Sequence, residues 1–270
     1  CRLNIRLVTY NWGCFADKSW KCHVDIDNAE LEKPTLNFDL KINCDLKDFF
    51  KIWERNKLNT ENKESYRNWL KWIEKCKVNY PVFDSKTFPV DNYQKRIDPY
   101  LFIYEFTKNL DSKSIICFGD GTACVAGFQA AFIKKGQRLF HNSGCASMGY
   151  ALPAAIGAYY AKLEKIYCIT GDGSIMLNIQ ELSVIKGQSL PIVIFILDNS
   201  GYHSIRQTQA NYFPDITVGC GPESGLYFPD FEKLVHGFGL ESITLSTNQQ
   251  IIDNLDYLIN SKGPLVVILK

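Results

Sequence analysis

Apolar residues in this chain gather into short runs, set apart by glycine-bearing turns and by stretches with helical spacing. Residues 190–197 form the clearest run: apolar, rich in β-branched side chains, and suited to a strand buried on both faces. Residues 114–118, 165–170, 241–245 and 265–269 read as further short strands, and 20–26 as one more near the start. Helical spacing marks 46–53, 66–76, 152–161, 231–238 and 249–259. It also marks 178–186, where Ile179, Leu182 and Ile185 fall on one face. Asp98-Pro99 predicts an N-cap followed by proline in the first helical position. Gly263-Pro264 opens the last strand. Strands alternating with helices predict an α/β fold, doubly wound around a mainly parallel sheet.

The pattern sets a helical connector, 46–97, before the main domain, 98–270. In the connector, 55–68 is polar and reads as a loop or frayed helix, and Pro81 and Pro89 punctuate an irregular linker. Phe49, Phe50, Trp53, Trp69, Trp72 and Ile73 fall at helical spacing and predict a packing face. His23, inside a strand pattern, reads as packing. Residues 201–213 read as a loop, and the glycines and prolines of 211–230 predict a long ordered loop beside the site.

Candidate chemistry sits at the ends of two strand patterns. The strand at 165–170 runs into Gly171-Asp172-Gly173-Ser174, and the one at 190–197 delivers Asp198-Asn199-Ser200-Gly201. In a βαβ unit the carboxyl ends of neighbouring parallel strands lie side by side, which predicts that Asp172 meets Asn199. A carboxylate, an amide oxygen and backbone carbonyls form a hard oxygen set of the kind Mg²⁺ takes together with phosphates. Glycines let backbone N–H groups approach an anion at a helix N-terminus. The plain alternative is a turn whose Asp caps a helix; the pairing with Asn199 favours the ion. A second turn, Gly119-Asp120-Gly121-Thr122, ranks lower as a metal site because no asparagine is placed to join it, and it is not a dinucleotide fingerprint. His203 could donate a proton near neutral pH, against the plainer reading of a solvent-facing loop histidine.

Composition narrows the classes. A net charge of +1 gives no argument for nucleic acid or a charged membrane surface. The longest apolar run, about eight residues, is far short of the ~20 a membrane helix needs. Ten cysteines without a Cys-x-x-Cys pair argue against zinc, and several in core strands fit free thiols in a reducing cytoplasm.

The two loops together, Gly171-Asp172-Gly173-Ser174 and Leu197-Asp198-Asn199, resemble the signature of thiamine diphosphate (ThDP) enzymes. Residues 143–158 and Ile205-Arg206-Gln207-Thr208-Gln209 resemble the acetolactate synthase-like group, and the likeness covers nearly the whole chain. His23-Val24-Asp25-Ile26-Asp27 resembles a stretch late in the central domain of that group, which implies that 1–45 are the remnant of a second α/β domain. The resemblance implies a ThDP-binding fold in which Asp172, Asn199 and the Gly201 carbonyl hold Mg²⁺ against the cofactor's diphosphate. It further implies cofactor contacts from Gly121, Thr122, Ala123, Cys124, Ala146, Gly171, Gly173, Ser174 and Tyr202. Met148 would lie under the bend of the folded cofactor, with Ile205 and Thr208 on the substrate side.

The reaction implied is decarboxylation of a 2-oxo acid such as pyruvate and ligation of the two-carbon unit to a second carbonyl. Relatives usually carry Trp at the place of Thr208, so decarboxylation alone, or transfer to a sugar-like acceptor, stays open. So does a non-catalytic module that binds ThDP or a nucleotide. The resemblance allows FAD in a full-length parent, without residues here to read it from. It also implies a homodimer or tetramer built through a pyrimidine-binding domain, whose glutamate drives catalysis. No stretch here resembles that domain, so the catalytic residue is expected outside this chain. These 270 residues alone are expected to be silent, which turnover of pyruvate with ThDP would contradict.

Overall fold

The computed structural model describes residues 3, 8, 10–56, 63–81, 83, 93–213 and 215–270. They form two compact units, Cys1–Lys77 and Val78–Lys270.

In the first unit, β1 (Cys22–Asp25) and β2 (Leu40–Asn43) pair in parallel, with Cys22 opposite Leu40. The crossover runs through α1 (Asn28–Leu31), whose N-cap Asp27 accepts the Ala29 N–H. His23 is buried in β1, its ring 4.5 Å from that of Phe38. Two helices follow, α2 (Leu46–Arg55), capped by Asp45, and α3 (Lys63–Asn79). Of the polar stretch read as a loop or frayed helix, residues 63–68 are helical, while Pro89 lies outside the described residues. Of the aromatic stripe, Phe49 and Ile73 are half-buried, and Phe49 packs on Phe50 and Trp53. Phe50, Trp53, Trp69 and Trp72 are 55, 56, 58 and 54 % exposed. Helix α2 buries none of its residues, and Trp69 finds its partner in Trp72, stacked at 4.8 Å.

The second unit opens on α4 (Pro99–Asn109). As the sequence predicts, Asp98 caps it, accepting from the N–H groups of Tyr100 (2.8 Å) and Leu101 (3.4 Å). The chain then runs through β3 (Ile115–Phe118), α5 (Thr122–Ala130), β4 (Arg138–Phe140), α6 (Ala151–Lys162) and β5 (Ile166–Gly171). Next come α7 (Asp172–Ile175), α8 (Glu181–Gly187), β6 (Ile192–Leu197) and α9 (His203–Tyr212). It closes with α10 (Phe231–Gly237), β7 (Glu241–Leu245), α11 (Asn248–Asn260) and β8 (Leu265–Leu269). Two expectations are corrected. Residues 203–212, expected as loop, are the helix α9, and the turn at Gly171 passes directly into the helical α7.

Six strands form one parallel sheet in the order β4-β3-β5-β6-β8-β7. Side chains alternate across it, as the pleat requires. From β6, Val193, Phe195 and Leu197 join Phe102 and Phe106 of α4 and Ile251 and Leu258 of α11 on one face. Ile192, Ile194 and Ile196 join Leu152 of α6, Leu182 and Ile185 of α8 and Val235 of α10 on the other. Both faces are covered, so the fold is doubly wound, as expected. The chain goes from β3 outward to β4 and then returns past β3 to β5. This reversal opens a crevice at the carboxyl ends of β3 and β5, the place where such sheets take ligands.

Helix α5 lies close on the sheet because of Gly127. A Cβ there would stand 2.6 Å from Cδ1 and Cε1 of Phe118. Gly127→Ala is expected to destabilise the unit by about 1–3 kcal/mol through overpacking. Denaturant unfolding followed by circular dichroism checks this; an unchanged midpoint would show the ring has room to move.

Candidate functional site

Three loops meet at the carboxyl edge of the sheet, and a fourth is tied to them. They line one open cleft at that edge.

The first loop follows β3. The Gly119 N–H donates to the Ile169 carbonyl at 2.7 Å, and a Cβ on Gly119 would stand 3.0 Å from Thr170 Oγ1, so this loop lies against the end of β5. Gly121, at φ +62°, is the N-cap of α5 and offers no side chain to the helix's first N–H groups. Gly121, Thr122 and Ala123 line the cleft.

The second loop follows β5 and carries Asp172, which is 3 % exposed. Its Oδ1 accepts the Gly173 N–H at 2.6 Å. Its Oδ2 accepts the N–H groups of Gly201 at 2.9 Å and Asn199 at 3.2 Å. The meeting of Asp172 with the Asn199 loop, predicted from strand adjacency, is thus present. The third loop follows β6 and is drawn onto this carboxylate. Asn199 Oδ1 is buried and has no hydrogen-bond partner among the described residues. Gly173 has no room for a side chain: a Cβ would overlap the Tyr202 ring and stand 3.2 Å from Phe228.

The fourth loop brings Met148. Gly149, at φ +83°, donates its N–H to Ser174 Oγ at 3.1 Å and accepts from Asn178 Nδ2 at 2.9 Å. These bonds fix Met148, half-buried, on the cleft wall. Ser174 accepts in this bond, which leaves its hydroxyl proton for an anion.

Of the fifteen residues that the resemblance assigns to the site, twelve line this one cleft: the three at α5, Met148, Gly171 to Ser174, Asn199, Gly201, Tyr202 and Ile205. Three do not. Cys124 turns its Sγ to His141 Nδ1 at 3.4 Å. Ala146 sits at φ +52° in a turn whose N–H groups close on Asn142. Thr208 is exposed on α9 and donates to the Ser204 carbonyl at 2.9 Å. His203, exposed, and Ser204 do line the cleft.

Asp120 is the residue the sequence reading undervalued. It lines the cleft, and its Oδ1 is buried without a partner among the described residues. Its place in the sequence carries the signal: it follows a glycine at the end of an apolar strand run, as Asp172 does on the next strand in the sheet.

Burial pushes the Asp172 carboxyl up from its ordinary 3.8, with a smaller push from the Asp198 charge; the N–H groups of Gly201, Gly173 and Asn199 oppose this. Between the ordinary and the raised value, the folded state holds more protons than the unfolded one, so this group's contribution to stability falls as pH rises through that window. A bound divalent cation favours the carboxylate and should flatten the slope. Melting temperature against pH, with and without Mg²⁺ and ThDP, checks this; parallel curves would count against a cation at Asp172.

These features fit a metal–diphosphate group. A buried carboxylate and an orphaned amide oxygen supply cation ligands, and a helix start without a side-chain cap, together with Ser174, supplies anion donors. Among the described residues no group of three or more His, Cys, Asp or Glu could hold a metal. No helix among them is long and apolar enough to cross a membrane.

Comparison with known proteins bears on the same residues. The family model for the thiamine pyrophosphate enzyme C-terminal TPP binding domain matches residues 118–269. The acetolactate synthase large subunit of Cyanidium caldarium is 32 % identical over 264 residues, covering 96 % of this chain and 43 % of that protein. The probable acetolactate synthase large subunit of Methanococcus aeolicus is 29 % identical over 282 residues, covering 99 % and 45 %. The acetolactate synthase isozyme 2 large subunit of Escherichia coli (strain K12) is 26 % identical over 261 residues, covering 96 % and 44 %. The chain spans less than half the length of each of these relatives. With its cleft built from loops inside the matched segment, the chain belongs to the thiamine pyrophosphate enzymes and is acetolactate synthase-like.

Proposed function

We propose that the protein containing these residues binds ThDP through Mg²⁺, decarboxylates a 2-oxo acid such as pyruvate, and ligates the two-carbon unit to a second carbonyl. The observation that carries this reading is the convergence on Asp172 of the N–H groups of Asn199 and Gly201, with Asn199 Oδ1 buried and without a partner among the described residues. Asp172, Asn199 and the Gly201 carbonyl would hold the cation. The first N–H groups of α5 and the Ser174 hydroxyl would hold the diphosphate, and Met148 would support the bend. Bound there, ThDP would supply the electron sink that lets the 2-oxo acid lose carbon dioxide. The protein's part is to bind and to orient, with Tyr202, His203 and Ile205 along the cleft wall. In this reading residues 1–45 are the tail of a central domain, 46–97 a connector and 98–270 the cofactor domain.

A hydroxylated, sugar-like acceptor is the second reading, and Asp120 favours it. A buried carboxylate oxygen without a donor gains a hydrogen bond from an acceptor hydroxyl. Calorimetry of the full-length protein with ThDP, with and without Mg²⁺, tests the binding. A screen of 2-oxo acids against hydroxyaldehydes as acceptors then separates the two readings. No Mg²⁺-dependent ThDP binding would refute both, and binding without turnover would point to a non-catalytic module.

A further inference from the structure

The loop that carries Asn199 and Gly201 is fastened from behind as well as by Asp172. Arg206, in the first turn of α9, donates from Nη2 to the carbonyls of Ser200 (3.2 Å) and Cys220 (3.3 Å). The Cys220 carbonyl also accepts the Tyr202 N–H at 2.9 Å. Gly201 passes so near that carbonyl that a Cβ would overlap it. On the far side, Glu223 Oε1 stands 3.8 Å from Arg206 Nε, which is buried and makes no hydrogen bond among the described residues. The 220 loop is braced in turn by Ser224 Oγ, which accepts the N–H groups of Cys220 (2.9 Å) and Gly221 (3.0 Å). The guanidinium therefore joins two loops, and one of them lines the cleft.

That loop needs joining. Ser200 and Gly201 stand in succession at φ +61° and +153°. Backbone of this kind persists only where its surroundings over-determine it. Asp172 restrains it from the cleft side, and Arg206 from the other.

We propose that Arg206 is a positioning residue for a divalent cation held by Asp172, Asn199 and Gly201. This rests on the ThDP and Mg²⁺ reading given above. Arg206 is not among the residues that line the cleft. It acts through the Ser200 carbonyl, the link between the two loop residues that would ligate. By fixing that peptide, it keeps the Asn199 amide oxygen and the Gly201 backbone on the Asp172 side before any ligand arrives. Partners of this outer kind typically change metal affinity by roughly 10–100-fold when lost.

The test uses the full-length protein. Mg²⁺ is titrated by calorimetry at saturating ThDP, ThDP is titrated at saturating Mg²⁺, and the ligand-free melting temperature is recorded. Arg206→Ala is expected to weaken Mg²⁺ by roughly 10–100-fold, with ThDP at saturating Mg²⁺ and the ligand-free melting temperature far less affected. Arg206→Lys keeps the charge but not the fixed guanidinium geometry, and should fall between wild type and alanine. Glu223→Gln should weaken Mg²⁺ in the same direction by less, and the double variant should lose less than the sum of the singles because the two side chains act as one unit. Mg²⁺ affinity within about twofold of wild type in Arg206→Ala would overturn the proposal, as would equal losses for Mg²⁺ and ThDP together with a lowered ligand-free melting temperature. Should Arg206→Ala not fold, Arg206→Lys and Glu223→Gln decide, and unchanged Mg²⁺ affinity in both refutes it. A wild-type protein that binds neither Mg²⁺ nor ThDP would remove the reading beneath the proposal, and the proposal with it.

Discussion

Asp172→Asn is expected to weaken Mg²⁺-dependent ThDP binding by at least about a hundredfold, or about 3 kcal/mol. The side chain keeps its shape but loses the one negative charge at the centre of the oxygen set. It also loses acceptor capacity. Asp172 takes three backbone N–H groups, from Gly173, Asn199 and Gly201. An amide has a single oxygen, and its NH₂ would face a donor. The bonds to Asn199 and Gly201 are those that draw the third loop inward, so the change strikes the ligand set twice. Ligand-free stability is the poorer readout. Relief of a buried charge raises it while an orphaned N–H lowers it by about 1–3 kcal/mol. Calorimetry is the decisive measurement, and an affinity within tenfold of wild type would place the cation elsewhere.

Gly201→Ala should act on the fold and the site together. At φ +153° the residue occupies backbone space that L side chains rarely adopt, and its added methyl would overlap the Cys220 carbonyl. Strain plus the displaced bond to Asp172 should cost about 2–4 kcal/mol, a fall of roughly 5–10 °C in melting temperature for a unit of this size. Gly225 is the matched control. It stands at φ +84° with open space where a Cβ would go, so alanine there meets strain alone, about 1 kcal/mol. If the two variants melt together, the close approach to Cys220 is not restraining the loop.

Legibility in the sequence followed the strength of the local signal. The strands β5, β6 and β8 are apolar because both their faces are covered, and that composition survives without knowledge of neighbours. Asp98-Pro99 was equally clear, because a cap is chemistry confined to a few residues. The short outer strands were not legible. Leu40–Asn43 and Arg138–Phe140 are too brief for a period to emerge. Helix α5 is built almost wholly of small and apolar residues, so no face stands out. Helix α9 buries none of its residues and follows two residues of positive φ, so its sequence resembles loop. Its helical form shows only once the 220 loop is placed beside it. At the site, strand adjacency predicted the meeting of Asp172 and Asn199. Asp120 lacks a partner asparagine in the sequence, yet its buried Oδ1, without a partner among the described residues, makes it a feature of the cleft.

The exposed aromatic helices have a practical consequence. All five tryptophans, Trp12, Trp20, Trp53, Trp69 and Trp72, lie in Cys1–Lys77, and the unit that holds the cleft has none. Indole fluorescence therefore reports the melting of the first unit only. Far-ultraviolet dichroism registers both, so subtracting the optical curve from the dichroic one isolates unfolding around the six-stranded sheet. Ile205→Trp would place a lone emitter on the cleft wall of that otherwise dark unit.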